Sequence, residues 1–283
     1  MLPIPMSVRS LRCRAFAPAL FALVLACIAS ACSSTSIDLA AWRKTELAAA
    51  PVATQGPIPE ELTRVDRLRE ERRLAEARAL ALRLAAEHAD DAGALIRASR
   101  AESDGVFLFP EDDKPSRNHA AASALDFALR ARERGASTAS ELAQVAWALG
   151  TSTHLQPMFD RSAHAKRTLA TAHEALALEP GEPTALATVA LVNLRLETLP
   201  WIASAMAWTA PDSSLEDAEA FARGACESLP SRENLQILAK VLIASDRAAE
   251  AREVLDRALA SPPRFARDTV LEPALAKLRA SLD

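Results

Sequence analysis

Four cysteines, five histidines and a few paired acids are the side chains through which this chain could do chemistry. Their spacing leaves them little chemistry to share. Cys13 and Cys27 fall in an apolar N-terminal stretch, Cys32 stands directly behind it, and Cys226 is alone in the remainder. Zinc sites of the C-x-x-C or H-E-x-x-H kind place two ligands about one helical turn apart, and neither pattern occurs. His164 and His173 fall in one helical stretch, but nine steps of about 100° put them on opposite faces. The glycines never come closer than Gly93 and Gly105, which excludes a G-x-G-x-x-G or P-loop phosphate cradle, and no G-x-S-x-G elbow is present. Asp90 with Asp91, and Asp112 with Asp113, stand in turn-like sequence and read as solvated pairs. We therefore expect no catalytic residue, no metal site and no cofactor, and take the chain for a non-enzyme.

Cys32 is the thiol whose setting prescribes a reaction. Arg9, Arg12 and Arg14 precede residues 15–28, which are almost wholly apolar, in the charge-then-hydrophobe order of a secretory signal. The run is short of the roughly 20 residues that span a bilayer. Ala29, Ser30 and Ala31 lead into Cys32, and Ser33, Ser34, Thr35 and Ser36 follow it. This segment resembles a bacterial lipobox, although Ala29 stands where that family usually carries leucine. The resemblance implies cleavage before Cys32, diacylation of its thiol and a membrane anchor. By the same resemblance, Ser33 implies passage to the outer membrane, with the protein facing the periplasm. Cys27, after Val24, Leu25 and Ala26, is a rival site but lies inside the apolar run; cleavage without lipid is the other alternative.

Processing would leave Cys226 as the last free thiol, so an exported domain would depend on its core without an internal disulfide. Residues 1–31 carry three arginines and no acid, so their loss takes a chain of net charge −4 to −7. With no basic stripe, nucleic acid is not an expected partner. Residues 32–58 read as a tether, since Ser/Thr clusters and Pro51 and Pro57 favour extended chain up to Pro59. The folded domain is placed at 59–283.

Within that domain alanine and leucine dominate, aromatics make up only 4% of the chain and tyrosine is absent. Alanine has the highest helix propensity and strands prefer β-branched and aromatic residues, so the composition predicts an all-α fold. In "TASELAQVAWALG", Leu142, Val145, Ala146 and Leu149 form one helical stripe, and Thr138 with Glu141 has capping-box spacing. Similar patterns predict helices over about 60–88, 92–102, 118–134, 160–178, 184–197, 214–228, 233–245 and 248–260.

An internal repeat organises these helices. Residues 232–263 contain Leu235, Leu238, Ala239 and Leu242, then Ala251, Leu255 and Ala258, then Pro263. The second half recurs as Ala218, Ala222, Ala225 and Pro230, and as Thr168, Ala172, Ala175 and Pro180, with Leu186, Val189 and Ala190 forming a first-helix pattern after the latter. A more degenerate copy begins the domain at Leu68, Ala77, Ala81 and Leu84. The pattern resembles the tetratricopeptide (TPR) repeat, a helix-turn-helix unit of about 34 residues, best over 160–263 and loosely over 60–160. The resemblance implies antiparallel helix pairs stacked as a right-handed α-solenoid, whose concave face binds an unidentified protein or peptide.

Two stretches interrupt the array. "LETLPWIASAMAWTAP" inserts about 16 residues between Pro180 and Pro230 and carries Trp201, Met206 and Trp208. These are candidate contacts for a partner or ligand, or an extra helix folded on the core. "DGVFLFPEDDKPSRN" reads as a packed loop with Phe107 and Phe109 before an acidic turn. The expected function is a protein- or peptide-binding scaffold of the cell envelope. A small-molecule-binding accessory of a solute transporter, with the Trp/Met insertion capping a pore, is the alternative, and an enzyme comes third.

Overall fold

The computed structural model describes residues 58–110, 112–199, 211–264 and 266–283. The signal segment, Cys32, nearly all of the tether, and Trp201, Met206 and Trp208 lie outside these residues. Eleven α-helices and no strand occur among the described residues. They are α1 (Ile58–Glu70), α2 (Leu74–Glu87), α3 (Ala92–Leu108), α4 (Lys114–Glu133), α5 (Ala139–Ser152), α6 (Arg161–Leu178), α7 (Pro183–Glu197), α8 (Leu215–Ser228), α9 (Arg232–Ala244), α10 (Ala248–Ala260) and α11 (Ala266–Ala280). Consecutive helices pair as α1/α2, α3/α4, α5/α6, α7/α8 and α9/α10, and the first helices α3, α5, α7 and α9 also pack on one another in succession.

Polar residues fix where these helices begin. Thr138 and Glu141 close a capping box on α5, while Asp91, Asp113, Ser214 and Ser231 each accept a first-turn amide at the start of α3, α4, α8 and α9. The acid pairs of the sequence thus each supply a cap. Pro183 opens α7, where a missing N–H is harmless.

The turns carry the repeat as clearly as the helices do. The Arg73 amide donates to the Leu68 carbonyl at 2.8 Å, and the Arg247 amide to the Leu242 carbonyl at 2.9 Å, closing the same six-residue turn around the left-handed residues Arg72 (φ 64°) and Asp246 (φ 57°). The single pattern read over 60–88 is therefore two helices joined as α9 is joined to α10. This makes the degenerate first copy a helix pair in its own right, with Leu68, Ala77, Ala81 and Leu84 all buried.

Two further expectations change. The loop expected at Phe107 and Phe109 is largely helix: α3 runs on to Leu108 because Val106 and Phe107 find apolar neighbours. Beyond Pro263, where no helix is read from the sequence, α11 forms with Pro273 inside it, at the cost of a backbone hydrogen bond. Burial overrides that local cost, since Leu271 and Leu275 are inserted into the C-terminal core.

The repeat alanines are where helices meet. Thr168, Ala172 and Ala175 on α6, Ala218 and Ala222 on α8, and Ala251 and Ala258 on α10 have no exposed surface. His164 is also buried; its Nε2–H donates to the Leu149 carbonyl at 2.8 Å, and burial pulls its pKa below the ordinary 6.5. His173, on the opposite face of α6, meets the edge of Phe221 with ring centroids 6.0 Å apart.

Two outcomes test this packing. Ala251→Phe forces a ring into a filled interface and is expected to cost about 1–3 kcal/mol or more, against about 0.5 kcal/mol at an exposed alanine, as read by thermal unfolding. The depressed pKa of His164 means that its contribution to stability is intact above pH 6.5 and is lost as pH falls through the lower folded-state value. The melting midpoint should thus fall on acidification from pH 6.5 down to that value, and less steeply in His164→Gln, whose amide keeps a donor but does not titrate.

A candidate binding cavity on the concave face

The first helices of successive pairs turn one face toward a common space. Arg100, Ser103 and Asp104 of α3, Ser140, Gln144 and Trp147 of α5, Thr184 and Ala187 of α7, and Glu233 and Asn234 of α9 line a cavity of about 280 Å³. Intervals of three, four and seven on α3, α5 and α7 keep these side chains on one face, while Glu233 and Asn234 are consecutive in the first turn of α9. Arg69 of α1 and Arg267 and Asp268 of α11 also line it.

Hydrogen bonds hold much of this lining in place. Gln144 is buried and its amide donates to the hydroxyls of Ser99 and Ser103, each at 3.1 Å, while Ser99 donates to the Ala124 carbonyl at 2.8 Å. Arg69 grips one oxygen of Asp104 through Nε at 3.0 Å and Nη2 at 2.8 Å. The Asn234 amide donates to the carbonyls of Ala225 and Leu229 at 3.1 and 2.8 Å, tying α9 to the end of α8. Arg100 has no carboxylate partner among the described residues and donates to the Ser140 hydroxyl at 3.2 Å. Burial, with the positive charges of Arg69 and Arg97 beside it, lowers its pKa to about 10, so it stays charged at neutral pH.

Arg267 reaches into this space from the first turn of α11. Its guanidinium carbon lies 3.7 Å from the centre of the Phe107 ring and 5.1 Å from that of Trp147, and its Nη2 pairs with Glu233. Both ring distances fall within the cation–π range. The pairing is incomplete. Arg267 Nε is buried without a hydrogen-bond partner, an omission that costs about 1–3 kcal/mol, and burial raises the pKa of Glu233 even though Arg267 pulls it down. The same helix packs against α3, which carries Arg100, Ser103 and Asp104 of the cavity lining.

Sequence reasoning missed this cluster. Trp147 lies in the stretch with the clearest helical pattern and Phe107 in a recognised aromatic pair, but no spacing joins either to Arg267. The residues singled out instead, Trp201, Met206 and Trp208, and the acylation candidate Cys32, are outside the described residues. Cys226 is half-buried and free, with its thiol pushed up to about 11 by burial, so it offers little thiolate at neutral pH. Among the described residues no group of three or more His, Cys, Asp or Glu side chains could hold a metal, and no helix is long and apolar enough to cross a membrane.

Paired helices with repeated turns and a cavity on the face of the first helices define a TPR-like helical repeat protein. The chain belongs to the family described as regulator of microtubule dynamics protein 1-3, which matches residues 62–283. A comparison with curated protein sequences gives no match. Among solved structures the chain resembles TTC0263, a thermophilic TPR protein of Thermus thermophilus, at 16% identity and a TM-score of 0.56, covering 79% of this chain and 97% of that one. It is also similar to YrrB, described as a TPR protein with an unusual peptide-binding site, at 14% identity and a TM-score of 0.36, covering 79% of this chain and 92% of that one. The likeness to TTC0263 concerns the fold.

The stacking on Arg267 has a measurable consequence. Phe107→Leu keeps an apolar side chain but removes the ring, and should loosen α11 by about 0.5–2 kcal/mol. Amide exchange in residues 266–280 is expected to quicken while that of α5 and α6 stays unchanged; uniform exchange would mean the ring does not hold the helix.

Proposed function

We propose that this protein is a non-catalytic scaffold of the cell envelope that holds a protein or peptide segment in its concave cavity. In this reading residues 1–31 are a signal segment removed on export, Cys32 carries the lipid anchor, and residues 32–58 tether the repeat domain to the outer membrane on its periplasmic side. Support for the anchor comes from the order of the basic residues, apolar run, Ala29–Ser30–Ala31 and Cys32. Membership of a family of regulators agrees with a non-catalytic role; the microtubule activity in the family's description belongs to the members it was named for.

The observation that carries the binding reading is the cavity itself. It combines an aromatic wall, Trp147, with fixed hydrogen-bonding and charged groups, Gln144, Arg100 and Glu233, on adjacent rigid helices. A peptide backbone with polar side chains suits that lining. The small-molecule alternative is less favoured, because about 280 Å³ is at the lower edge of the roughly 300–1,000 Å³ usual for enclosed ligand pockets, and charged groups line much of the cavity.

Two measurements test the two halves of the proposal. Cys32→Ser should move the protein from the membrane fraction to the soluble one, and mass spectrometry of the wild-type protein should find Cys32 acylated; an unmodified Cys32 overturns the anchor. For the cavity, Ser140→Trp places an indole at an exposed lining position with little effect on stability, within about 0.5 kcal/mol. Random-peptide selection on the full chain should enrich sequences whose binding this variant weakens at least tenfold, and enriched peptides indifferent to Ser140→Trp would overturn the site.

A further inference from the structure

In the concave cavity a charged side chain from the protein's own last helix occupies a seat that is incompletely matched to it. Phe107 and Trp147 present their rings to the Arg267 guanidinium, and Glu233 accepts from its Nη2. Two features mark the match as imperfect. Arg267 Nε is buried and finds no acceptor, and the bond to Glu233 joins one nitrogen, Nη2, to one carboxylate oxygen, Oε1. A guanidinium is planar and donates through two parallel N–H groups, so one arriving free of the constraint of α11 can engage both oxygens of Glu233 between the same rings. We infer that Phe107, Trp147 and Glu233 form an arginine-recognition seat for a partner segment, and that Arg267 is its resident occupant, to be displaced when that segment binds. The inference rests on the peptide-binding reading of the cavity and specifies what the peptide must carry.

This arrangement sets the apparent affinity. A seat filled in cis is open in only a fraction of molecules, and the observed dissociation constant rises by the inverse of that fraction. If Arg267 occupies its seat nine-tenths of the time or more, removing it tightens arginine binding at least about tenfold. An occupant of the same chemical class also discriminates: a neutral or acidic side chain gains nothing from Glu233 and cannot offset the loss of Arg267.

The test uses the full chain in detergent, as wild type, Arg267→Ala and Arg267→Ala/Glu233→Gln, titrated with N-acetyl-arginine methylamide and with its neutral isostere N-acetyl-citrulline methylamide. The readouts are the Trp147 indole resonance, identified by its loss in Trp147→Phe, and the melting midpoint, which a ligand confined to the folded state must raise. Arg267→Ala is expected to respond saturably to the arginine amide at a concentration at least tenfold below that needed by wild type. Citrulline should have no effect, and Glu233→Gln should abolish the response. An equal response to citrulline, equal affinity in wild type, or no response in folded Arg267→Ala overturns the seat. Should that variant be only partly folded, the arginine amide must raise its midpoint, and failure to do so is equally decisive. Peptides that bind through the cavity yet lack arginine and are indifferent to Arg267→Ala remove this inference while leaving the scaffold reading in place. Amide binding without any captured peptide does the reverse.

Discussion

Helices in this protein can stack only because the residues at their closest approaches are small. Ala172 on α6 shares one buried cluster with Leu142, Ala143 and Ala146 of α5 and Val189 of α7, and it has no exposed surface. On α8, Ala222 occupies the equivalent place, and at the next repeat position Ala175, Ala225 and Ala258 are buried in turn on α6, α8 and α10. A larger side chain at any of these points would hold two helices apart along their whole length, and the misfit would pass to the next pair, since each pair touches mainly its neighbours. The cavity depends on the same constraint. Its lining residues belong to consecutive first helices, and their relative positions follow from how closely the second helices allow those pairs to stack.

Much of this was legible in the sequence because it is repeated and local. The alanine-to-proline spacing over 160–263 marks second helices, and all of its alanines are buried as a repeat requires. The Thr138–Glu141 cap also forms as its spacing predicts. What escaped depends on contacts distant in the chain. The turn at Arg72 has no glycine to announce its left-handed backbone, and it is stabilised by the return of α2 onto α1. The same applies to α11: its Pro273 speaks against a helix locally, and only Leu271 and Leu275, buried in a core built largely from residues 186–258, decide for one. The site was less legible still, since Phe107, Trp147, Glu233 and Arg267 meet through four different helices.

The inner face must resolve a conflict between exposure and burial. An apolar lining would be an open aggregation surface, whereas charges placed in a narrow cavity lose hydration and need partners. The cavity takes an intermediate course. Asp104 is neutralised by Arg69, and Gln144 is fixed by two serine hydroxyls, so these groups form a rigid polar floor. Arg100 remains charged beside Ser140 at the rim. Glu233, in the first turn of α9, pairs with Arg267 from the first turn of α11.

Two separate sets of contacts hold α11, and their separation is what allows Arg267 to exchange. The helix is anchored by Leu271 and Leu275 in the C-terminal core and by the buried Arg232, which donates to the Ser261 carbonyl at 2.9 Å and to Glu272 at 2.8 Å. Neither anchor involves the guanidinium of Arg267. Withdrawing that group from between Phe107 and Trp147 therefore requires rotation of one long side chain at the first turn of the helix, while the apolar stripe and the Arg232 bonds stay formed. Such rotations cost far less than undocking a helix whose two buried leucines are each worth about 1.5–3 kcal/mol in transfer from water. The solenoid end can thus remain capped while its cavity opens: Leu271, Leu275 and Arg232 hold most of α11, the stacking of Arg267 adds a smaller share, and access to the cavity turns on Arg267.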